Sequence, residues 1–134
     1  MHITLEADYA VRIVSCLAQS GVRMEAKNIS EQTGVTLRFS LKILRKLVSG
    51  GVVKSFKGIH GGYELARPLE EISLGDVISI VEGPMVLSRC LNEGYDCNCD
   101  RASCQFHAVY DDISQMVRQK LAAVKFSDFY AVKE

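Results

Sequence analysis

The chain has no tryptophan, only two prolines and no surplus of charge of either sign. Among its 134 residues, 16 lysines and arginines balance 16 aspartates and glutamates. Hydrophobic residues make up 48% and charged residues 24%, which fits an ordinary folded domain and excludes a disordered chain. No apolar run approaches the roughly 18 residues that a membrane span needs. We therefore expect a globular protein without a membrane partner.

The first residues, MHITLEADYAVRIV, lack the basic segment of a secretory signal peptide and carry Glu6 and Asp8 within an apolar stretch. This predicts a cytoplasmic protein. Disulfides seldom persist in a reducing cytoplasm, and clustered thiols there more often bind metal or sense redox state. The lone Cys16 borders an apolar helical stripe, which is typical of a small buried hydrophobic residue.

Basic residues are concentrated between residues 36 and 68. Seven of them stand there against the single acidic residue Glu64, a local charge of +6: Arg38, Lys42, Arg45, Lys46, Lys54, Lys57 and Arg67. A solvated face is the plain interpretation of such a run. The elements on which these charges lie favour a second interpretation, a surface for nucleic acid.

The spacing of apolar residues predicts five helices and one hairpin. The helices are expected at about 5–20, 26–32, 37–48, 74–82 and 104–124, and the two strands at 52–56 and 63–66. Thr4 and Ser73 are predicted N-caps, and Gly21 is a predicted helix end. A short turn containing Gly34 joins the second and third helices, which is helix-turn-helix spacing. The predicted class is mainly α with a small β-hairpin, a winged helix-turn-helix.

The third helix is the predicted recognition helix. Its buried stripe is expected to consist of Leu41, Leu44, Leu47 and Val48. The hairpin that follows is the predicted wing, with a tip rich in glycine that permits close approach to a phosphate or a groove wall. Ser40 and His60 are expected near base edges, and the basic residues near phosphates. The predicted DNA-binding residues are Arg38, Ser40, Lys42, Arg45, Lys46, Lys54, Lys57 and His60.

The segment RCLNEGYDCNCDRASCQFH, residues 89–107, is the candidate metal centre. Its possible ligands are Cys90, Cys97, Cys99, Cys104 and His107. Thiolates suit iron-sulfur clusters and zinc, and Cys104 and His107 are three residues apart at a helix start, so that both can point at one metal. Structural zinc sites prefer Cys-x2-Cys pairs, whereas this segment has Cys97-x1-Cys99. An iron-sulfur cluster, zinc and a metal-free thiol switch all remain open.

Other classes of function are less well supported by the sequence. A cysteine-nucleophile enzyme would need a pocket, a paired base and an oxyanion site, and nothing in the sequence arranges them; we predict that the chain is not an enzyme. A regulator that senses a small molecule or a protein, and a module that binds no DNA, are the alternatives.

The apolar stripe of the fifth helix exceeds what a small winged module needs and predicts a homodimer. The expected divisions are a DNA-binding domain at 1–83, a cysteine-rich loop at 84–107, a dimerisation helix at 104–126 and a tail at 127–134.

Four segments together resemble the iron-sulfur cluster regulator family, the winged-helix dimers of the IscR and NsrR type. They are MHITLEADYAVRIV, KGIHGGYELAR, SLGDVISIVEG and the cysteine-rich loop that closes on CQFH. The resemblance covers nearly the whole chain in the same order of elements. Its first and wing motifs also occur in relatives without cysteines, so the loop alone carries the implied cluster.

The resemblance implies a transcriptional regulator whose affinity for double-stranded operator DNA is set by an iron-sulfur cluster. In the IscR-like pattern, three cysteines about five residues apart are followed by a histidine ligand. This chain repeats the pattern, with each gap between cysteines one residue longer, at Cys90, Cys97, Cys104 and His107. It also has an additional cysteine, Cys99. His107 resembles the ligand of a 2Fe-2S cluster. Asp8 resembles the carboxylate that NsrR-like members recruit from the partner subunit for a 4Fe-4S cluster. We favour His107 and 2Fe-2S, with 4Fe-4S and zinc as alternatives.

Overall fold

The computed structural model describes residues 2–92, 94 and 104–131. Helices α1 (Leu5–Ser20), α2 (Ala26–Thr33) and α3 (Leu37–Ser49) come first, followed by the strands β1 (Val53–Phe56) and β2 (Gly62–Leu65) and by helices α4 (Leu74–Glu82) and α5 (Gln105–Ala123). Short 3-10 turns lie at Leu69–Glu71, Arg89–Leu91 and Phe126–Asp128. The predicted helices and the hairpin are confirmed, and so is the winged helix-turn-helix class.

Local side chains fix where the helices begin and end. The hydroxyl of Thr4 accepts a hydrogen bond from the Ala7 N–H at 3.2 Å, and Gly21 ends α1 in the left-handed conformation with φ 68°. At the start of α4, the Ser73 hydroxyl accepts from the Asp76 N–H while the Asp76 carboxylate accepts from the Ser73 N–H. This reciprocal pair is a capping box, and it satisfies two N–H groups that the helix itself cannot.

Helix α1 is the centre of the core. Ile13, Val14 and Leu17 are buried against α2, α3 and α4. From α3 the buried side chains are Ser40, Ile43, Leu44 and Leu47, a stripe at helical spacing. The predicted stripe was wrong at one position, since Leu41 is 40% exposed. Leu41 lies about 160° around the helix from Ile43 and about 120° from Leu47, beyond the edge of the buried face.

The hairpin is held against the segment before α2. Strands β1 and β2 pair antiparallel, with Val53 opposite Leu65 and Phe56 opposite Gly62. Tyr63 also bridges Met24, exchanging two backbone hydrogen bonds with it. Gly62 has φ 134°, and a Cβ at this position would lie 2.6 Å from the Met24 carbonyl oxygen. This close approach requires glycine and fixes the wing's base to the helical body.

The C-terminal segment returns to the core. The Leu74 N–H donates to the Val124 carbonyl, and the N–H of Phe126 donates to the carbonyl of Ile72. Phe126 is buried, and Tyr130 packs on the core. The described part of the predicted 127–134 tail is therefore attached to the domain. Within the described ranges, no helix is long and apolar enough to cross a bilayer.

Candidate nucleic-acid interface and metal centre

One face of α3 points away from the core and carries both cations and leucines. We call it the outer face, and it consists of Leu37, Arg38, Leu41, Lys42 and Arg45, all of them exposed. At positions i, i+1, i+4, i+5 and i+8 they lie along one side of the helix, and Leu37, seven residues before Leu44, borders the buried stripe. The structure thus brings three predicted DNA-binding residues, Arg38, Lys42 and Arg45, onto one surface, where they line an open depression with the two leucines and Phe39.

Ser40 does not lie on this surface. It is fully buried, and its hydroxyl lies 3.4 Å from the Val35 carbonyl oxygen, to which it donates. The prediction that Ser40 lies near base edges is wrong for this conformation, because the core-facing stripe of α3 passes through position 40. The sequence does not indicate that Ser40 is buried, because the partner of its hydroxyl is a backbone carbonyl, which no sequence pattern reveals.

Lys46 and Lys42 share an acidic neighbour that the sequence did not indicate. The Lys46 Nζ donates to Glu6 Oε1 at 2.8 Å, and the Lys42 Nζ lies 3.6 Å from the same oxygen. The hydrogen bond from Lys46 lowers the pKa of Glu6 below its ordinary value of 4.5, and the charges of both lysines add to this effect. Glu6 therefore remains ionised and offsets part of the positive charge beside the outer face.

The wing presents its predicted donors to solvent. Lys54, Lys57 and His60 are all exposed. A residue that sequence reasoning missed holds the tip: the Arg23 guanidinium lies 3.3 Å from the centroid of the Phe56 ring and donates to the His60 carbonyl at 2.9 Å. Stacking of a guanidinium on an aromatic face combines cation–π attraction with planar contact. Arg23 thus orients the tip that carries His60.

Two hydrogen bonds attach the segment after α4 to α5. The Leu87 N–H donates to the Ser114 hydroxyl at 2.7 Å, and the Arg118 guanidinium donates to the Met85 carbonyl at 2.9 Å. Ser114 is fully buried and itself donates to the Tyr110 carbonyl. Neither residue was predicted. Together they position the chain that leads into the Arg89–Leu91 turn and Cys90, a turn that itself contacts α5.

Three candidate ligands lie in the described part of the cysteine-rich segment. Cys104 is the N-cap of α5, and the His107 N–H donates to its sulfur at 3.5 Å. The Nδ1 atom of His107 is buried and has no hydrogen-bond partner among the described residues. Cys90 is half-buried in the Arg89–Leu91 turn. Within residues 2–92, 94 and 104–131, no three His, Cys, Asp or Glu side chains converge on one point. Cys97 and Cys99 lie outside the described residues.

Asp8 and Cys16 lie in α1. The Asp8 carboxylate forms an ion pair with Arg12 at 3.0 Å, one turn along the helix, and both side chains are about half exposed. The Cys16 sulfur lies 3.8 Å from the Met24 sulfur, and burial raises the pKa of the Cys16 thiol. A raised pKa keeps the thiol protonated and unreactive, which fits a packing role.

Comparison with known proteins places this geometry in a family. A putative HTH-type transcriptional regulator of Mycobacterium tuberculosis (strain H37Rv) is 36% identical over 96 residues, which cover 70% of this chain but only 60% of that relative. The regulator IscR of Klebsiella pneumoniae is 30% identical over 117 residues, 86% of this chain and 71% of IscR. The chain thus spans less than two thirds of the length of the first relative.

A solved structure has the same fold. The structure of CymR, the global cysteine regulator of B. subtilis, superposes with a TM-score of 0.77 over 100% of this chain and 99% of CymR, at 21% identity. The relatives are transcriptional regulators, which confirms the prediction that the chain is not an enzyme. A family model described as an iron-dependent transcriptional regulator matches residues 3–132, nearly the whole sequence, and the chain therefore belongs to the Rrf2 family.

Proposed function

We propose that this Rrf2-family chain is a cytoplasmic, homodimeric regulator that binds double-stranded operator DNA, with an affinity set by an iron-sulfur cluster. The outer face of α3 is assigned to the major groove and the wing to the adjoining backbone. Arg38, Lys42 and Arg45 are the principal cations of the helix. Lys54 and Lys57 are those of the wing, and His60 is its proposed contact with base edges. Lys46 contributes less, because Glu6 already holds it.

The DNA assignment is tested by the salt dependence of binding. Each true phosphate contact contributes about 0.9 to the slope of log affinity against log salt. We expect Arg45→Gln or Lys57→Gln to lower this slope by about that amount, with an exposed basic residue of α5, Lys120→Gln, as the control. An affinity for duplex DNA that does not change between low and high salt would contradict the assignment.

The metal proposal depends on one observation, the buried Nδ1 atom of His107. A buried polar atom without a partner is costly, and a bound metal ion is one partner that satisfies such a nitrogen. Cys104 lies on the same turn, and Cys90 lies in the Arg89–Leu91 turn, which contacts α5. We propose that Cys90, Cys104, His107 and one of Cys97 and Cys99 hold a 2Fe-2S cluster, which when bound supplies a redox-sensitive charge. The mixed sulfur and nitrogen set also suits zinc, and the experiment separates the two.

The test is the visible spectrum and the iron, sulfide and zinc content of protein purified without oxygen. We expect a coloured protein that contains iron and sulfide, and loss of the colour in Cys90→Ala and Cys104→Ala. The matched control is Cys16→Ala, which should keep the colour. A colourless protein that contains zinc would overturn the cluster in favour of zinc, and one without metal would favour a thiol switch.

The choice of the fourth ligand is tested separately. We expect His107→Cys to keep a cluster at a lower reduction potential, because a thiolate adds negative charge. Asp8→Ala should leave the spectrum unchanged, since Asp8 is already paired with Arg12. If Asp8→Ala destroys the cluster while His107→Ala keeps it, the site includes a carboxylate from the second subunit and a 4Fe-4S cluster becomes the better assignment.

The dimer proposal is supported by an apolar stripe on α5. Phe106, Val109, Ile113 and Met116 are all exposed, at spacings of three, four and three residues. This is the spacing of a helix that packs along a second helix. Farther along α5, Val117 and Leu121 are half-buried within the protomer, and so is Val124 directly after the helix. The N-terminal part of α5 is therefore the proposed dimer contact.

A further inference from the structure

We infer that Leu37 and Leu41 read thymine in the major groove through its 5-methyl group. This inference rests on the proposed DNA binding and adds to it a base preference and the residues that produce it. Leu37 is 46% exposed and Leu41 is 40% exposed, one turn apart on the outer face of the recognition helix. Contact with an apolar group of the DNA would remove this exposed apolar surface from water, which is favourable.

The chemistry of the outer face limits what it can recognise. All of α3 is described, and its outer face has the side chains Leu, Arg, Leu, Lys and Arg, at positions 37, 38, 41, 42 and 45. None of these side chains accepts a hydrogen bond. The face therefore lacks the amide that pairs with adenine and the carboxylate that accepts from cytosine. The contacts left to it are cation donors to guanine or phosphate and apolar contact with the thymine methyl group.

The position of the leucines favours bases over backbone. Leu37 is the first residue of α3 and Leu41 follows in the next turn, and the N-terminal residues of a recognition helix are those that reach base edges. Arg38, Lys42 and Arg45 surround them on the same face. Three cations make a second copy of this face an unfavourable partner, because like charges would meet, whereas DNA supplies the opposite charge around an apolar methyl group.

The test uses 30-base-pair duplexes selected from a random-sequence pool by the full-length protein. Each thymine is then replaced singly by deoxyuridine, which removes only the 5-methyl group. We expect one or two positions in each half-site at which uracil weakens wild-type binding about three- to fourfold, the effect of one buried methyl-sized group. In Leu41→Ala or Leu37→Ala the sensitivity at the corresponding position should disappear, so that thymine and uracil duplexes bind equally.

The matched control is Leu5→Ala, an exposed leucine of α1 outside the outer face. It should keep the wild-type ratio of thymine to uracil affinity, whatever its effect on binding overall. The inference would be overturned if the wild type bound every uracil duplex as tightly as the thymine duplex. It would also be overturned if both leucine variants kept the wild-type ratio of thymine to uracil affinity. In those cases the selected duplexes still bind and the proposed function stands. If the selection yields no DNA that binds in a salt-dependent way, the proposed function itself fails.

Discussion

Removing the Ser114 hydroxyl tests how the cysteine-bearing segment is held. In Ser114→Ala, the Leu87 N–H loses its acceptor at 2.7 Å in a partly buried position. An unsatisfied buried donor costs about 1–3 kcal/mol. Alanine returns up to about 0.5 kcal/mol, because serine is the weaker helix former. We therefore expect a net loss of about 1–2 kcal/mol in the free energy of unfolding, which corresponds to a fall of several degrees in Tm for a chain of this size.

The measurement is urea unfolding of the full chain, with Ser79→Ala on the exposed face of α4 as the control. The control has the same gain in helix propensity, so the difference in stability between the two variants reports the two hydrogen bonds of the Ser114 hydroxyl, with Leu87 and with Tyr110. Hydrogen exchange of the Leu87 amide should be faster in Ser114→Ala and unchanged in Ser79→Ala. Equal stability of the two variants, together with an unchanged Leu87 exchange rate, would refute the attachment of this segment to α5.

Three further perturbations test other contacts. Glu6→Gln should lower stability at neutral pH by under about 1 kcal/mol and raise DNA affinity at low salt, because it frees two lysines. The pKa of Glu6 is depressed in the folded protein, so the ionised carboxylate stabilises the fold at pH values above the unfolded pKa. This stabilisation is lost as the pH falls through the folded pKa. Urea unfolding should therefore show the free energies of unfolding of wild type and Glu6→Gln converging in acid. Arg23→Lys should speed amide exchange in the hairpin tip, since lysine cannot stack on Phe56; an unchanged rate would contradict this role. Met116→Asp should produce monomers in sedimentation, whereas Met116→Leu should stay dimeric.

The fold could be predicted from the sequence because its signals are local. Thr4, Gly21 and Ser73 act within one turn of the residues that they cap, and the apolar spacing of α1 is continuous. The site could be predicted only in part, because its contacts join residues that are far apart in the sequence. Glu6 and Lys46 are 40 residues apart, and Leu87 and Ser114 are 27 apart. The burial of Ser40 could not be predicted for a similar reason, because it depends on the hydrogen bond from its hydroxyl to the Val35 carbonyl.

The first turn of α1 lies between the recognition helix and the end of α4. The Thr4 N–H donates to Glu82 Oε1 at 2.7 Å, and Glu6 accepts from Lys46 of α3. Glu82 is the last residue of α4, directly before the segment that carries Cys90. The backbone of α3 is held by Ile43, Leu44 and Leu47, which are fully buried, so a disturbance at Glu82 has little freedom to move the helix itself. The partly exposed ion pairs of Glu6 are easier to rearrange. We therefore expect this route to change how much positive charge α3 presents to DNA, and to leave the position of the helix within the protomer unchanged.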